Sequence, residues 1–148
     1  MKLEYDEFWD VIEGCKTFES FCKKTIPDFN KNKNIPEAVQ RKLGVVQKLM
    51  TYSYYEYDFL DVAMLQTFYI LELALSLKYK SLPNYKKDLK NLTLYLDWAL
   101  RKNYILKSQK EQIIYLRNNL FHPKDESIFG MIAINVIKVN VELISNLF

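Results

Sequence analysis

The residues of this chain that are best suited to acid–base chemistry lie in one short segment, 115–123. It contains the only histidine, His122, five positions after Arg117, and Asn118 directly follows the arginine. Imidazole titrates near neutral pH, at about 6.5 unperturbed, and guanidinium stays protonated and binds phosphate through paired N–H groups. On a helix, Asn118 and His122 would share a face one turn apart. The segment therefore predicts metal-free chemistry on a phosphodiester, in which His122 moves a proton and Arg117 neutralises developing charge.

Composition excludes several other kinds of site. The chain has 148 residues, 49% of them hydrophobic, which predicts one folded domain over residues 1–148. Its three glycines, Gly14, Gly44 and Gly130, are too scattered for a phosphate-binding loop or a dinucleotide fingerprint. One histidine and two cysteines do not suggest a zinc site, so we predict no metal and no cofactor. The net charge of +3 permits RNA as a partner but does not require it.

Cellular location is predicted from the N-terminus and the longest apolar run. The first ten residues are acidic and amphipathic, unlike a signal peptide. The longest uncharged apolar run, 127–137, is shorter than the roughly 20 residues that cross a bilayer. We therefore expect a cytoplasmic protein with no membrane contact. Cys15 and Cys22 are expected to lie two turns apart on one helix, too far to bridge, as buried thiols.

Few glycines and prolines between long apolar-periodic stretches predict an all-α fold, a single-domain helical bundle of about five to six helices. A first helix is predicted from about Tyr5 to Lys24, followed by a loop over 30–34. Pro36 is then expected as the first residue of a second helix. Its core stripe is Ala38, Val39, Leu43, Val46 and Met50. Whether this helix breaks or bends in the tyrosine-rich stretch 51–58 is left open.

The next segment, Phe59 to Tyr79, is apolar on nearly every side and is predicted to be the central helix. Glu72 lies in its middle. An unpaired buried carboxylate is costly, so Glu72 either reaches the helix edge to meet a lysine or has a functional partner.

Three helices are predicted in the remaining sequence. The first begins at Pro83–Asn84 and ends near Lys102–Asn103, with Asn103 as a left-handed terminator. The second begins with a capping box, Ser108 to Glu111, and ends near His122, because Pro123 disfavours helical geometry in the residue before it. The third runs from Ser127 to Phe148.

The spacing of Arg117, Asn118 and His122, Arg-x4-His with a polar residue after the arginine, resembles the signature of HEPN domains, the higher eukaryote and prokaryote nucleotide-binding helical domains. The setting is similar too, because the motif helix follows a leucine-rich helix and precedes the terminal one. The stretch 69–75 is similar to the central helix of several such families. The resemblance covers roughly the last two-thirds of the chain and leaves the predicted N-terminal helices, residues 1–57, unassigned.

The resemblance implies an HEPN-like fold and a metal-independent endoribonuclease that cleaves RNA at the cleft of a homodimer. His122 would be the general acid and base, Arg117 the phosphate clamp and Asn118 the positioning group, with Glu72 supporting one of them. On an ideal helix Arg117 and His122 point about 140° apart, so an arginine of one protomer would serve beside the histidine of the other. A microbial toxin or defence effector, with an antitoxin as a possible partner, is the expected setting.

Some features depart from the family or have a second interpretation. Toxins silenced by a nucleotidyltransferase carry a tyrosine two residues after the histidine, where this chain has Lys124. The lysines near the motif are expected either to form a weak RNA-binding rim or to be ordinary solvated residues. They are Lys102, Lys107, Lys110 and Lys124, beside Arg101. The tyrosines Tyr52, Tyr54, Tyr55 and Tyr57 would either stack bases or pack at a helix junction or dimer interface.

Two other functions fit the same sequence. One is a non-catalytic HEPN-like helical module that binds a nucleotide or a protein partner. The other is a helical structural protein, in which His122 caps the end of its helix and Arg117 makes a surface ion pair.

Overall fold

The computed structural model describes residues 3–12, 14–29, 32–120 and 130–148. Within these ranges the chain forms one short 3-10 helix, Glu7–Val11, and six α-helices, with no strand. The α-helices are α1 (Phe18–Thr25), α2 (Glu37–Tyr52), α3 (Asp58–Lys80), α4 (Leu92–Arg101), α5 (Lys107–Leu120) and α6 (Gly130–Asn146). The predicted all-α bundle is confirmed.

Helices α2 and α3 form a hairpin, joined by the short turn 53–57. The turn resolves the question left open for the tyrosine-rich stretch, because α2 ends at Tyr52 and a separate helix begins at Asp58. The α2 stripe is buried as predicted at Val39, Leu43, Val46 and Met50. Ala38 is exposed, however, and Pro36 caps the helix from outside rather than starting it.

Helices α3 and α6 lie side by side and run parallel. A Cβ on Gly130, at the start of α6, would lie 3.1 Å from the ring of Tyr57, just before α3. Further along, Asn140 of α6 donates a 2.8 Å hydrogen bond to Thr67 of α3. At the far end, Phe148 and Lys78 come together, with the ammonium 5.6 Å from the ring centroid. The chain must therefore return along the bundle between the end of α3 and the start of α6.

Helix α3 is central, as predicted, and packs against α2, α4 and α6. Nine of its residues, from Leu60 to Leu75, are buried. By length and composition, α3 is also the one helix among the described residues that could cross a membrane, and half of that stretch is buried within the bundle.

The predicted first helix, Tyr5 to Lys24, is wrong. The 3-10 helix ends at Val11, and Gly14 has a φ of +85°, a left-handed conformation that interrupts helical geometry. Helix α1 starts separately, from a capping box in which Thr17 and Ser20 each bond the other's backbone N–H. Cys15 therefore lies before α1 and Cys22 on it, and both thiols are free.

The start of α4 also differs from the prediction. Pro83 and Asn84 lie in a turn, and α4 begins eight residues later, where Asn91 caps it by accepting a 3.1 Å bond from the N–H of Leu94. The predicted terminator is confirmed, since Asn103 has a φ of 58°.

The capping box predicted at Ser108 to Glu111 is wrong in position. Helix α5 begins at Lys107, which places Ser108 inside it, and the Gln109 side chain accepts a 2.8 Å bond from the N–H of Leu106. Only half of a capping box is therefore present, two residues earlier, because Leu106 has no side-chain acceptor to return the bond. The terminal helix is confirmed from Gly130 onward, and its predicted residues 127–129 lie outside the described part of the chain.

Candidate active site on helix α5

The last turn of α5 carries two of the three predicted site residues. Arg117 is half-buried and Asn118 exposed, and adjacent positions on a helix project about 100° apart. Lower in the same helix, Ile113 is buried in the core and Lys110 forms an ion pair with Asp97 of α4. These contacts fix α5 against α4 and so set the direction of its last turn. His122 and Lys124 lie outside the described residues.

A groove of about 170 Å³ lies between α5 and α6, just below this last turn. Its apolar wall includes Ile113 and Leu116 of α5 and Val136 and Val139 of α6. Its polar groups are the amides of Gln112, Asn135 and Asn140. These described lining residues carry no group that titrates near neutral pH, so they can orient a ligand but cannot transfer its protons.

Asn140, at the base of the groove, is only 1% exposed and belongs to a buried relay of hydrogen bonds. Its amide donates to the Thr67 hydroxyl, and that hydroxyl donates a 2.7 Å bond to the carbonyl of Met64. Losing one partner of such a buried bond costs about 1–3 kcal/mol. The relay therefore fixes the register of α6 against α3, and with it one wall of the groove. The sequence signal was an asparagine among the Ile and Val residues of the terminal segment, and sequence reasoning did not single it out.

Glu72 is half-buried on α3. Among the described residues it makes no hydrogen bond and no ion pair, so the lysine partner expected at the helix edge is not found there. No such bond joins it to Arg117 or Asn118. Its supporting role stays a prediction.

The lysines near the motif have different surroundings. Lys110 is committed to Asp97, and Lys107 lies 3.8 Å from Glu111 in an exposed pair. Exposed ion pairs of this kind contribute little to the free energy of unfolding. Lys102 is exposed at the end of α4. Only Lys102, of the three described lysines, is thus exposed without a carboxylate partner.

Two of the four tyrosines in the cluster pack at the junction of α2 and α3, whereas Tyr52 is 52% exposed. Tyr54 and Tyr57 are 7% and 4% exposed. The Tyr57 ring lies 3.8 Å from that of Phe8, and the Tyr54 ring 5.2 Å from that of Phe21. Burial, together with the nearby carboxylates of Asp61, Asp58 and Asp6, raises the pKa of Tyr57 far above its ordinary value. Packing is therefore the confirmed alternative for these two rings.

Neither cysteine has the surroundings of a nucleophile. Burial raises the pKa of the Cys15 thiol, against a smaller opposing effect of Lys24, and burial also raises the pKa of Cys22. Both are therefore protonated thiols at neutral pH. In the described part of the chain, no three His, Cys, Asp or Glu side chains are grouped as they would be to hold a metal ion.

The candidate site therefore consists of Arg117 and Asn118 on the last turn of α5, above a groove lined by amides, with the predicted His122 following in sequence. Comparison of the chain with protein-family models, with curated proteins and with solved structures found no match.

Proposed function

We propose that this protein is a metal-independent endoribonuclease of HEPN type, acting as a homodimer in a toxin or defence role. His122 is the general acid and base, Arg117 binds the scissile phosphate, Asn118 positions it and Glu72 supports the site. The ribose 2′-hydroxyl attacks the adjacent phosphorus, and the bond to the 5′ oxygen of the next nucleotide breaks. The products are a 2′,3′-cyclic phosphate and a 5′-hydroxyl end.

One observation carries this proposal. Arg117 and Asn118 lie together at the end of the penultimate helix of an all-helical bundle, immediately before the segment that contains the only imidazole of the chain. Guanidinium beside imidazole supplies both things that phosphodiester cleavage needs without a metal: charge neutralisation and proton transfer near neutral pH.

The groove between α5 and α6 does not favour binding of a whole nucleotide at this part of the molecule. At about 170 Å³ it is smaller than the roughly 300 Å³ at which small-molecule sites begin. It suits a single base or side chain beside the site better than a whole nucleotide.

The test is cleavage of a single-stranded RNA by the purified protein in the presence of EDTA, with the product ends identified by mass spectrometry. His122→Ala is expected to lower the cleavage rate about 10²- to 10⁴-fold, the usual range for loss of a general acid or base. Arg117→Ala is also expected to abolish cleavage, with an unchanged melting temperature in both variants. Wild-type rates in both variants would overturn the proposal.

Arg41→Ala is the matched control, because Arg41 is an exposed arginine on helix α2, outside both the motif and the lysine-rich stretch 78–110. It is expected to leave the cleavage rate unchanged. Mixing the His122→Ala and Arg117→Ala proteins tests the shared cleft, because a mixed dimer restores one intact pairing across the two-fold axis. Partial recovery of cleavage is expected, and none would contradict the shared cleft.

A further inference from the structure

Positive charge is concentrated in less than a quarter of the chain. Residues 78–110 contain nine lysines and arginines and two aspartates, a net charge of +7, whereas the whole chain has +3 and the remainder therefore −4. This stretch covers the end of α3, the loop 81–91, α4, the turn 102–106 and the start of α5. The small overall charge conceals this asymmetry.

A chain of aromatic contacts joins the loop 81–91 to the turn 102–106. The ring of Tyr79 lies 5.9 Å from that of Tyr85 in the loop and 5.1 Å from that of Trp98 in α4. Trp98 in turn lies 5.5 Å from Tyr104 in the turn. The loop and the turn therefore border one aromatic cluster where α3 ends, and we call the surface formed by these two segments the basic end.

The two terminal rings of this chain are exposed, while Trp98 inside it is 5% exposed. Tyr85 is 39% and Tyr104 36% exposed. Tyr85 is held in place, because its hydroxyl donates a 3.0 Å bond to Asp88, which also pairs with Lys80 at 3.2 Å. The chain thus presents two oriented rings on a packed support.

Exposed lysines lie close to Tyr85 in sequence. Lys86, Lys87 and Lys90 share its loop, and none of them is paired with a carboxylate in the described part of the chain. Rings that stack bases, beside cations that contact phosphates, are the recurring features of proteins that bind single-stranded nucleic acid.

We propose that the basic end is a binding surface for single-stranded RNA. Bases stack on Tyr85 and Tyr104, and Lys86, Lys87 and Lys90 contact the phosphates. The choice of RNA over DNA rests on the proposed function, whereas the location of the surface does not.

This surface lies apart from the candidate active site. Helix α5 begins at the basic end, and Arg117 is ten residues beyond Lys107, or about 15 Å at 1.5 Å per residue. A strand held at the basic end would have to continue along α5 to reach Arg117. The basic end would therefore retain long substrates without touching the reacting phosphate.

The test measures binding of a labelled oligouridylate by fluorescence anisotropy over a range of salt concentrations. The triple variant Lys86→Gln, Lys87→Gln, Lys90→Gln is expected to weaken binding and to reduce the slope of log affinity against log salt by about two, at roughly 0.7 per lost phosphate contact. Tyr85→Ala is expected to weaken binding at least about fivefold, and Tyr85→Phe to restore it, because stacking needs only the ring.

The matched control is Arg41→Gln, Lys42→Gln, Lys48→Gln, which removes the same charge from the exposed face of α2. An equal loss in this control would overturn the proposal, because it would show attraction by net charge alone. Unchanged binding in the loop variant would also overturn it, as would preferential binding of vesicles rich in anionic lipid.

Cleavage of a dinucleotide by the loop variants separates this proposal from the proposed function. Such a short substrate bypasses the basic end, so its cleavage should persist in the loop variants and disappear in His122→Ala. Loss of RNA binding with retained dinucleotide cleavage would support both proposals. If the protein binds RNA at the basic end but cleaves no substrate, the result would support the binding surface and contradict the proposed nuclease activity.

Discussion

Aromatic residues at the two ends of the bundle have different surroundings. At the end where α3 and α6 begin, here called the closed end, Trp9 is fully buried and its indole N–H donates a 2.7 Å bond to the carbonyl of Ser53. At the basic end, the outer rings Tyr85 and Tyr104 keep more than a third of their surface in solvent. Both ends also keep some rings exposed, such as Tyr52 at 52% and Phe59 at 40% at the closed end, but the exposed rings of the basic end lie in segments that carry exposed lysines.

Charged side chains also have different surroundings at the two ends. At the closed end, the Asp6 carboxylate accepts 2.9 Å bonds from the backbone N–H groups of Phe8 and Tyr57, so an acidic residue serves to join segments. At the basic end, the charged groups are lysines with few carboxylate neighbours. Aromatic or charged composition alone therefore does not locate a binding surface. A group is available to a ligand only if packing and hydrogen bonding within the protein leave it exposed.

The largest effect is expected from Trp9→Ala at the closed end. Trp9 contacts Phe21 at 4.6 Å and Tyr57 at 5.4 Å between ring centroids, and truncating a buried tryptophan costs about 3–5 kcal/mol in the free energy of unfolding. Urea denaturation checks this. Tyr85→Ala at the basic end is the comparison and should unfold like the unaltered protein. If both variants lost the same free energy of unfolding, the two ends would not differ in how strongly their aromatic residues stabilise the fold.

An intermediate effect is expected from alkaline pH. Because the pKa of Tyr57 is raised in the folded state, its phenol keeps its proton after the unfolded chain has lost it. The stabilisation from this tyrosine is complete below pH about 10, the unfolded value, and is lost as the pH rises through the folded pKa. The free energy of unfolding should therefore fall above pH 10, and less so in Tyr57→Phe.

Tyr115→Phe is the control for this pH series, since Tyr115 is 67% exposed. Its alkaline profile should match that of the unaltered chain. If Tyr57→Phe also matches, Tyr57 is not a buried phenol at the closed end.

The smallest effect is expected from Asp88→Asn at the basic end. The asparagine can still accept the Tyr85 hydroxyl bond, but it removes the negative charge beside Lys80. RNA binding should become tighter and more dependent on salt, with an unchanged melting temperature. Weaker binding would show that the basic end does not attract RNA through its positive charge.

Sequence periodicity predicted the elements that are long and packed on a broad face. Helices α2 and α3 and the described part of the terminal helix were found this way, because many apolar positions specify each of them. The first helix and the start of α4 were wrong because single residues decide them. Gly14 interrupts one apolar stripe with a left-handed conformation, and the Asn91 side chain, not Pro83, caps the first turn of α4.

Only those features of the candidate site that depend on spacing along one helix could be predicted from the sequence. The adjacency of Arg117 and Asn118 follows from their positions on one helix. The pairing of Lys110 with Asp97, and of Asn140 with Thr67, depends on how separate helices pack, which spacing along one helix does not encode. The ring contacts of the basic end were missed for the same reason, since Tyr79, Trp98 and Tyr104 belong to three elements.

The parallel course of α3 and α6 has a consequence for the order in which the chain folds. The α2–α3 hairpin closes over a five-residue turn, whereas the contact between Thr67 and Asn140 spans 73 residues. Contacts of high sequence separation slow folding, so docking of α6 should limit the rate and the hairpin should form first. Until α6 docks, the hairpin leaves the apolar face that α6 will cover open to water, so a chain with α6 undocked should be prone to aggregate.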